Sequence, residues 1–519
     1  MKALFRITLT AFILMSVDLL PGLFTLTPAS AQWAPFPVRR RPAQTDAMQQ
    51  SGVEVLTRGP VHEAFASPVN LDPEAGLLAP HAPPDPLDEG VPDEAPEFTD
   101  GDAEWIPGYW AWDDEENEYI WISGVWRVPP PDADWVPGHW TATREGYRWV
   151  PGFWSTDEDR ELEYLPRPPK NLDEGPVGPP PSPDYIWVPG SWYFEANYEW
   201  VAPPTVRVER RDGYFWRPGY WLRARPDWVW IPARYVWSPG GVVFVDGHWD
   251  FVVERRGLLF APVRVARPLF FHRRIHYVPQ IVISTDIFTV HLFTRPSYVH
   301  YYFGDYYAPD YVRRGIQPWF EVRRGCYDPI YVTYAWRYRD NGTWLDGLRR
   351  TYERRRVVVA ERPPRTYRVQ LERVRRVPEA ERRTLIVGRS VRELRSDDAR
   401  YRFRTLDEGR RTTITRNVDG LRDLRRQRAT WEADAQRPTG ERGRTAPRPG
   451  TERVSREPGQ ERPRSEVAAT ERPYRVKLPA SSISGRKGEA RRAPAVERAP
   501  TTDTPTPRKI KRTSEGTRR

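Results

Sequence analysis

The sequence predicts a mainly β protein: an antiparallel meander of Trp-rich repeats, then a small mixed subdomain, charged helices and a disordered tail. Three observations predict it. A six-residue unit returns along the front half as WIPGYW (Trp105–Trp110), WISGVW (Trp121–Trp126), WVPGHW (Trp135–Trp140), WVPGFW (Trp149–Trp154), WVPGSW (Trp187–Trp192) and WRPGYW (Trp216–Trp221). The first four copies start 14–16 residues apart, and a fixed period signals one supersecondary unit used repeatedly. Eighteen of the 23 tryptophans lie between Trp105 and Trp249, so aromatic burial must supply the core there. Outside that region the composition changes: 56 prolines, 35 glycines and 29% charged residues are too many for a uniformly packed globule of 519 residues.

Residues 1–31 read as a secretory signal. Lys2 and Arg6 precede the apolar run Ile7–Val17, and Ala29-Ser30-Ala31 is a small-x-small cleavage site. The run is too short to span a bilayer and no later stretch is apolar enough, so the mature chain is expected to have no transmembrane segment. Residues 32–101 are rich in Pro, Asp and Glu. Between Gly59 and Trp126 there is no Lys or Arg against 17 acids. Such a segment is expected to be a disordered linker, because it offers little apolar area to offset its ordering entropy.

Residues 102–265 form the repeat domain. Polar, turn-prone segments such as Asp113–Asn117, Arg144–Gly146 and Glu195–Asn197 separate the motif copies. Each leads into a Tyr-x-Trp that favours strand. A Pro-Gly turn would favour types I and II, which splay a hairpin. The polar segments are therefore expected to be the turns, with Pro-Gly a kink inside one long strand. Tryptophans five apart would face opposite sides of a flat strand, and one extra residue at a bulge at Pro-Gly is expected to return them to one face. Weaker copies begin at Trp200, Trp230 and Trp237, and residues 164–184 interrupt the array with a proline-rich insertion.

Residues 266–343 carry apolar strand-like runs and many tyrosines, expected as a small mixed subdomain. Residues 344–435 are rich in Arg and Glu. Helices are expected at 344–357, 367–375 and 406–434, polar nearly all round and held mainly by ion pairs. Residues 436–519 carry 22 basic against 10 acidic residues and few aromatics, expected as a disordered basic tail.

The W-x-x-G-x-W copies, each with Tyr-x-Trp running into the next, resemble the YXWGXW (WXXGXW) repeat family of bacterial exported proteins. The resemblance covers about Trp105–Trp249, with departures at Ser123, Ala202-Pro203 and Ala233. It implies an exported, periplasmic or cell-surface repeat protein. The family has no established enzymatic activity or ligand, so the resemblance implies no mechanism.

The residues themselves agree. No G-x-S-x-G, P-loop or Rossmann glycine pattern occurs. His272-x-x-x-His276 lacks a nearby carboxylate, and Cys326 stands alone, which rules out an intramolecular disulfide and a multi-cysteine metal site. The acidic runs Asp113–Glu118 and Asp157–Glu161 read as solvated turns. No catalytic residue, cofactor or metal is expected. Trp and Tyr faces suit polysaccharide or protein contact. The residues named for such an aromatic contact surface are Trp110, Trp140, Trp154, Trp192 and Trp221. The expected partners are envelope proteins or anionic envelope polymers, with polysaccharide as the alternative ligand. Nucleic acid is not expected of an exported chain, although the tail has the charge for it.

Overall fold

Proline lacks the N–H that a β ladder needs, so each Pro-Gly should interrupt its strand. The computed structural model bears this out, with the interruptions in facing pairs. It describes residues 52–204, 206–266, 276–321, 325–382, 385–397, 401–435, 474–479, 483–485, 492–500 and 505–510. The expected signal at 1–31 lies outside the described residues, as do His272 and most of the tail.

Two motif copies make one hairpin. In the first, Glu104–Ile106 and Tyr109–Asp113 run out, and Glu118–Ile122 and Val125–Arg127 return. The register sets Trp110 opposite Trp121 and Trp105 opposite Trp126. The kinks Pro107-Gly108 and Ser123-Gly124 therefore face each other, two residues against two, so the expected bulge is absent and Trp105 and Trp110 pack into different cores, while the acidic segment makes the turn, as expected. The second hairpin pairs Trp140 with Trp149 and Trp135 with Trp154. The third pairs Trp192 with Trp216 and Trp187 with Trp221. The fourth pairs Trp230 with Trp249, and Tyr235 with Phe244 where the motif has weakened.

All seven Trp–Trp pairs meet at ring centroid distances of 5.1–5.4 Å, tilted or edge to face. This is the cross-strand aromatic geometry that adds to area burial. The motif glycine follows from it. The first tryptophan of each copy lays its indole over the glycine of the facing copy. A Cβ at Gly124 would sit 2.4 Å from Trp105 Cζ2, and one at Gly219 would sit 2.3 Å from Trp187 Cζ2. No side chain fits there without moving an indole. Ala233 replaces this glycine in the one hairpin whose facing copy begins with Phe244, a smaller ring.

The expectation of a disordered linker over residues 32–101 fails for its described part. From 52 to 101 the chain threads between the hairpins and buries Leu56, Val61, Phe65, Val69, Leu77, Ala79 and Leu87. It contributes two- to four-residue strands to the edges of other sheets: Val53–Val55 on Val263–Val265, Leu78–Ala79 on the second hairpin, and Glu94–Glu97 on Arg402–Thr405. Pieces this short leave no period in the sequence.

The subdomain after the repeats is mixed. Leu292–Arg295 and His300–Phe303 form a sheet with Gly59–Pro60 and Gln317–Pro318, beside the helix Pro329–Arg337. Its tyrosines Tyr301, Tyr306, Tyr307 and Tyr311 are buried. The acidic turn of the first hairpin docks onto it and is not a solvated charge run. Glu115 accepts from Arg58, from Tyr311 Oη at 2.6 Å and from Arg365 at 3.1 Å, while Asp114 accepts from Arg295 at 2.9 Å. Burial opposes ionisation of Glu115, but the Arg58 and Tyr311 bonds outweigh it and hold the carboxyl down at about 2.

Helices occur at Trp344–Val357, Tyr367–Val374 and Glu408–Ala435, close to the expected spans. The last is not a solvated ion-pair helix. It buries Ile414, Val418, Leu421, Leu424, Arg428 and Glu432 along one stripe. Ile414 and Val418 join Trp105, Trp126, Trp230, Trp249 and Phe260 in one core. The tail is expected to be disordered, yet its described pieces form strand contacts. Tyr474–Lys477 pairs with Glu161–Leu165, and Arg508–Lys509 with Tyr198–Glu199.

Candidate functional site

Each facing pair of kinks leaves backbone groups without ladder partners in a buried place, where an unmet N–H or C=O is costly. Side chains from distant segments meet them. At the first hairpin Glu89 inserts between the kinks. It accepts from Gly108 N–H at 2.8 Å, Gly124 N–H at 2.8 Å and Trp121 Nε1–H at 3.0 Å. At the second, Glu63 accepts from Trp149 Nε1–H at 2.6 Å and Gly152 N–H at 2.9 Å. At the third, Asp173 of the proline-rich insertion accepts from Gly190 N–H at 3.0 Å and Trp187 Nε1–H at 3.3 Å. Three hairpins thus use one device, a carboxylate that caps a glycine N–H and an indole N–H together.

The kink carbonyls of the first two hairpins face the long helix Glu408–Ala435. Arg428 donates from Nη1 to Pro137 O at 3.0 Å and Pro151 O at 2.8 Å, bridging both arms of the second hairpin. Its Nε donates to Glu432 Oε1 at 2.8 Å, which also accepts from Tyr164 Oη at 2.9 Å. Both side chains of the pair are fully buried. Arg425 reaches Gly108 O at 3.4 Å. His62 Nδ1 accepts from Ala64 N–H at 3.1 Å, so its Nε2–H donates to Pro107 O at 3.3 Å. His300 Nε2 lies 3.3 Å from Glu63 Oε1 and closes the seam.

Burial dominates the electrostatics. It pushes Glu63, Glu89 and Glu432 upward and drives His62 down to about 3 and Arg425 down to about 10. Raised carboxyls beside histidine are groups that catalysis uses. Here the Glu63 and Glu89 oxygens and Glu432 Oε1 are spent on backbone, indole, phenol and guanidinium donors, and the side chains are sealed from solvent. The seam holds the kinks in place.

A pocket lies elsewhere, between Ser155–Asp157, Glu161–Leu165, Asn197–Tyr198 and Val243–Asp246. Burial raises Asp246 to about 6, against the opposing bond from Tyr198 Oη at 3.0 Å. The pocket suits a cation, and Lys509 from the tail sits in it with Nζ 2.7 Å from Asp157.

The residues named for an aromatic contact surface do not form one. Trp110, Trp154 and Trp192 are buried, their indole N–H groups bonded to Asp85 O at 3.0 Å, Ala64 O at 3.1 Å and Lys170 O at 3.0 Å. Trp140 and Trp221 are half-buried on different hairpins. Trp140 donates to Trp110 O at 2.8 Å. His276 is exposed beside Asp88 at 3.2 Å, and Cys326 is half-buried in a strand against Asn70. Among the described residues no group of three or more His, Cys, Asp or Glu side chains could hold a metal ion.

Sequence reading missed Glu63, Glu89, Asp173, Arg425 and Arg428. A signal existed for the arginines. Arg425, Arg428 and Glu432 continue the three–four spacing of Ile414, Val418 and Leu421, so charged residues sit on the apolar stripe. None existed for the carboxylates, which lie amid many other acids.

A further buried acid gives a pH test. Asp328 caps the helix Pro329–Arg337, accepting from Tyr331 N–H at 2.8 Å and Tyr301 Oη at 2.7 Å. Burial outweighs those bonds and raises it to about 7 from 3.8. Its folded state keeps a proton that the unfolded state has lost. Its contribution is therefore full below pH 4 and falls as pH rises toward 7. Asp328→Asn keeps both acceptor contacts and removes the titration. The stability difference between parent and variant is expected to drift against the parent by about 1.4 kcal/mol per pH unit across that window. Urea unfolding at three pH values checks this, and a constant difference contradicts it.

A protein-family model described as WXXGXW repeat (2 copies) matches residues 105–127, 134–155, 183–203, 211–223 and 225–249. Residues 105–127, 134–155 and 225–249 each contain most or all of one hairpin, and 183–203 with 211–223 contain the two arms of the third. The two-copy unit is thus one double-kinked hairpin. No curated protein and no solved structure matches the chain.

Proposed function

From a repeat region that belongs to the WXXGXW repeat family, we propose that the protein is an exported, non-enzymatic structural or interaction protein associated with the cell envelope. One observation carries the reading. The paired tryptophans of the repeat region, the carboxylates that reach its kinks and the arginines of the long helix are committed to the scaffold: tryptophans to cross-hairpin pairs, carboxylates to kink N–H groups, and arginines to kink carbonyls. Function then rests with surfaces, not with a cleft. Lys2, Arg6, the apolar run after them and Ala29-Ser30-Ala31 support export. The excess of Arg and Lys in residues 436–519 supports attachment to anionic envelope polymers.

The polysaccharide alternative calls for coplanar, outward-facing rings. The half-buried pair Trp187 and Trp221 meets edge to face at 73°, so the geometry does not favour it. Protein recovered from its native cells is expected to begin at or near Gln32 by N-terminal sequencing and to fractionate with the envelope. A full-length product in the cytoplasm would overturn the proposal.

A further inference from the structure

A soluble protein rarely leaves a run of consecutive branched apolar residues in water. At the end of the helix Trp344–Val357 this chain leaves three: Val357, Val358 and Val359 are 75%, 39% and 65% exposed. They are not a loose end. Arg362 donates from Nε to Arg355 O at 2.8 Å and from Nη2 to Arg356 O at 2.7 Å. Arg373 of the next helix donates to Arg362 O at 2.9 Å and to Ala360 O. These guanidinium bonds tie down the backbone on both sides of the valines and fix them as a projecting tip.

The surroundings are strongly basic. Residues 344–377 hold eleven arginines against four acids. Arg349, Arg350, Arg354 and Arg356 on the same helix are exposed, as is Arg368 on the next. Four of these are paired locally with Asp346, Glu361, Glu353 and Glu372, and Arg362 and Arg365 are paired with Asp305 and Glu115, but Arg350, Arg375 and Arg376 are exposed in addition and leave the patch basic. An apolar tip ringed by arginine matches a surface that is anionic outside and apolar just beneath. A bilayer with acidic headgroups has that order, whereas an anionic polymer has the charge without the apolar layer. No helix among the described residues is long and apolar enough to cross a membrane.

We propose that Val357–Val359 and the arginines around them form a membrane-docking tip that inserts its valines into the interface of an anionic bilayer. The inference narrows the envelope association proposed above to a lipid surface, but its test does not depend on export. Purified full chain is sedimented with vesicles of phosphatidylcholine alone and of phosphatidylcholine mixed with phosphatidylglycerol, across a salt series. Binding is expected to the mixed vesicles only, and to weaken as salt rises because exposed charges are screened. Val357→Ser/Val359→Ser leaves the charge unchanged and should leave the thermal melt unchanged, since both side chains are exposed. It is expected to weaken vesicle binding about tenfold or more, while retention on immobilised polyphosphate stays the same. Equal vesicle binding by parent and variant overturns the proposal and leaves charge alone as the contact. So does absence of binding, or equal binding to neutral vesicles. A cytoplasmic full-length product in the fractionation experiment would instead count against export and leave the vesicle result standing.

Discussion

Arg428→Leu is expected to cost about 3–5 kcal/mol of stability, the usual loss when one partner of a buried ion pair is removed. The guanidinium spans three structural elements at once. It is paired with Glu432 on its own helix and takes Pro137 O and Pro151 O on the two arms of the second hairpin. Without it, Glu432 keeps Tyr164 Oη at 2.9 Å, the Ser238 hydroxyl and the neutral ring of His139 at 3.4 Å, and two buried carbonyls lose their donor. Burial already pushes Glu432 upward with Arg428 present and lowers His139 well below its ordinary value. The carboxyl of the variant should therefore take up a proton. Its stability should then fall more steeply than the parent's as pH rises through neutrality, because a raised acid contributes only while protonated. A double-mutant cycle with Glu432→Leu separates pairing from packing. The double variant is expected to lose less than the sum of the single losses. Additive losses by urea unfolding would mean that the ion pair contributes nothing beyond two separate packing sites.

Glu89→Ala is expected to lose about 3 kcal/mol or more, because three buried donors lose their acceptor at once and each orphan costs about 1–3 kcal/mol. The loss stays below a simple sum, since removing the carboxylate also removes the burial cost that pushes its pKa upward. Glu89→Gln should not fully rescue. An amide presents one oxygen, and its NH2 group would face Gly108 N–H or the pair formed by Gly124 N–H and Trp121 Nε1–H. Asp88→Ala, at the exposed neighbouring position, provides the control and should change stability by under about 0.5 kcal/mol. Tryptophan fluorescence during urea unfolding reads all three. A Glu89→Ala loss no larger than that of Asp88→Ala would show that the kink N–H groups find other partners.

Much of the fold was legible in the chain itself. The W-x-P-G-x-W period and the polar turns led to hairpins kinked at Pro-Gly, and the registers Trp105–Trp126 and Trp110–Trp121 agree with that reading, whereas the parity argument failed: no extra residue bulges at the kink, and Trp105 and Trp110 pack into different cores. The helix spans followed from local spacing in the same way. These features are local because strand and helix periodicity, proline's missing donor and turn chemistry act over a few residues.

What faces each kink was decided only by the tertiary structure. Glu89 lies 19 and 35 residues from the glycines it caps, Glu63 lies 89 residues from Gly152, and Arg428 lies 291 and 277 residues from the prolines it serves. A lone carboxylate among 17 acids carries no mark of which N–H group it will meet. Residues 52–101 were misread for the same reason, since strands of two to four residues stabilised by distant edges leave no local pattern. The aromatic surface was misjudged because tryptophan content reports a need for burial without saying which rings reach water. That depended on the threading segment covering Trp110 and Trp154, whose indole N–H groups end on Asp85 O and Ala64 O. Sequence alone determined the repeating unit, because its causes are short-range. Tertiary structure decided how the unit's unmet backbone groups are satisfied, because in a buried kink only a side chain brought from far along the chain can reach them.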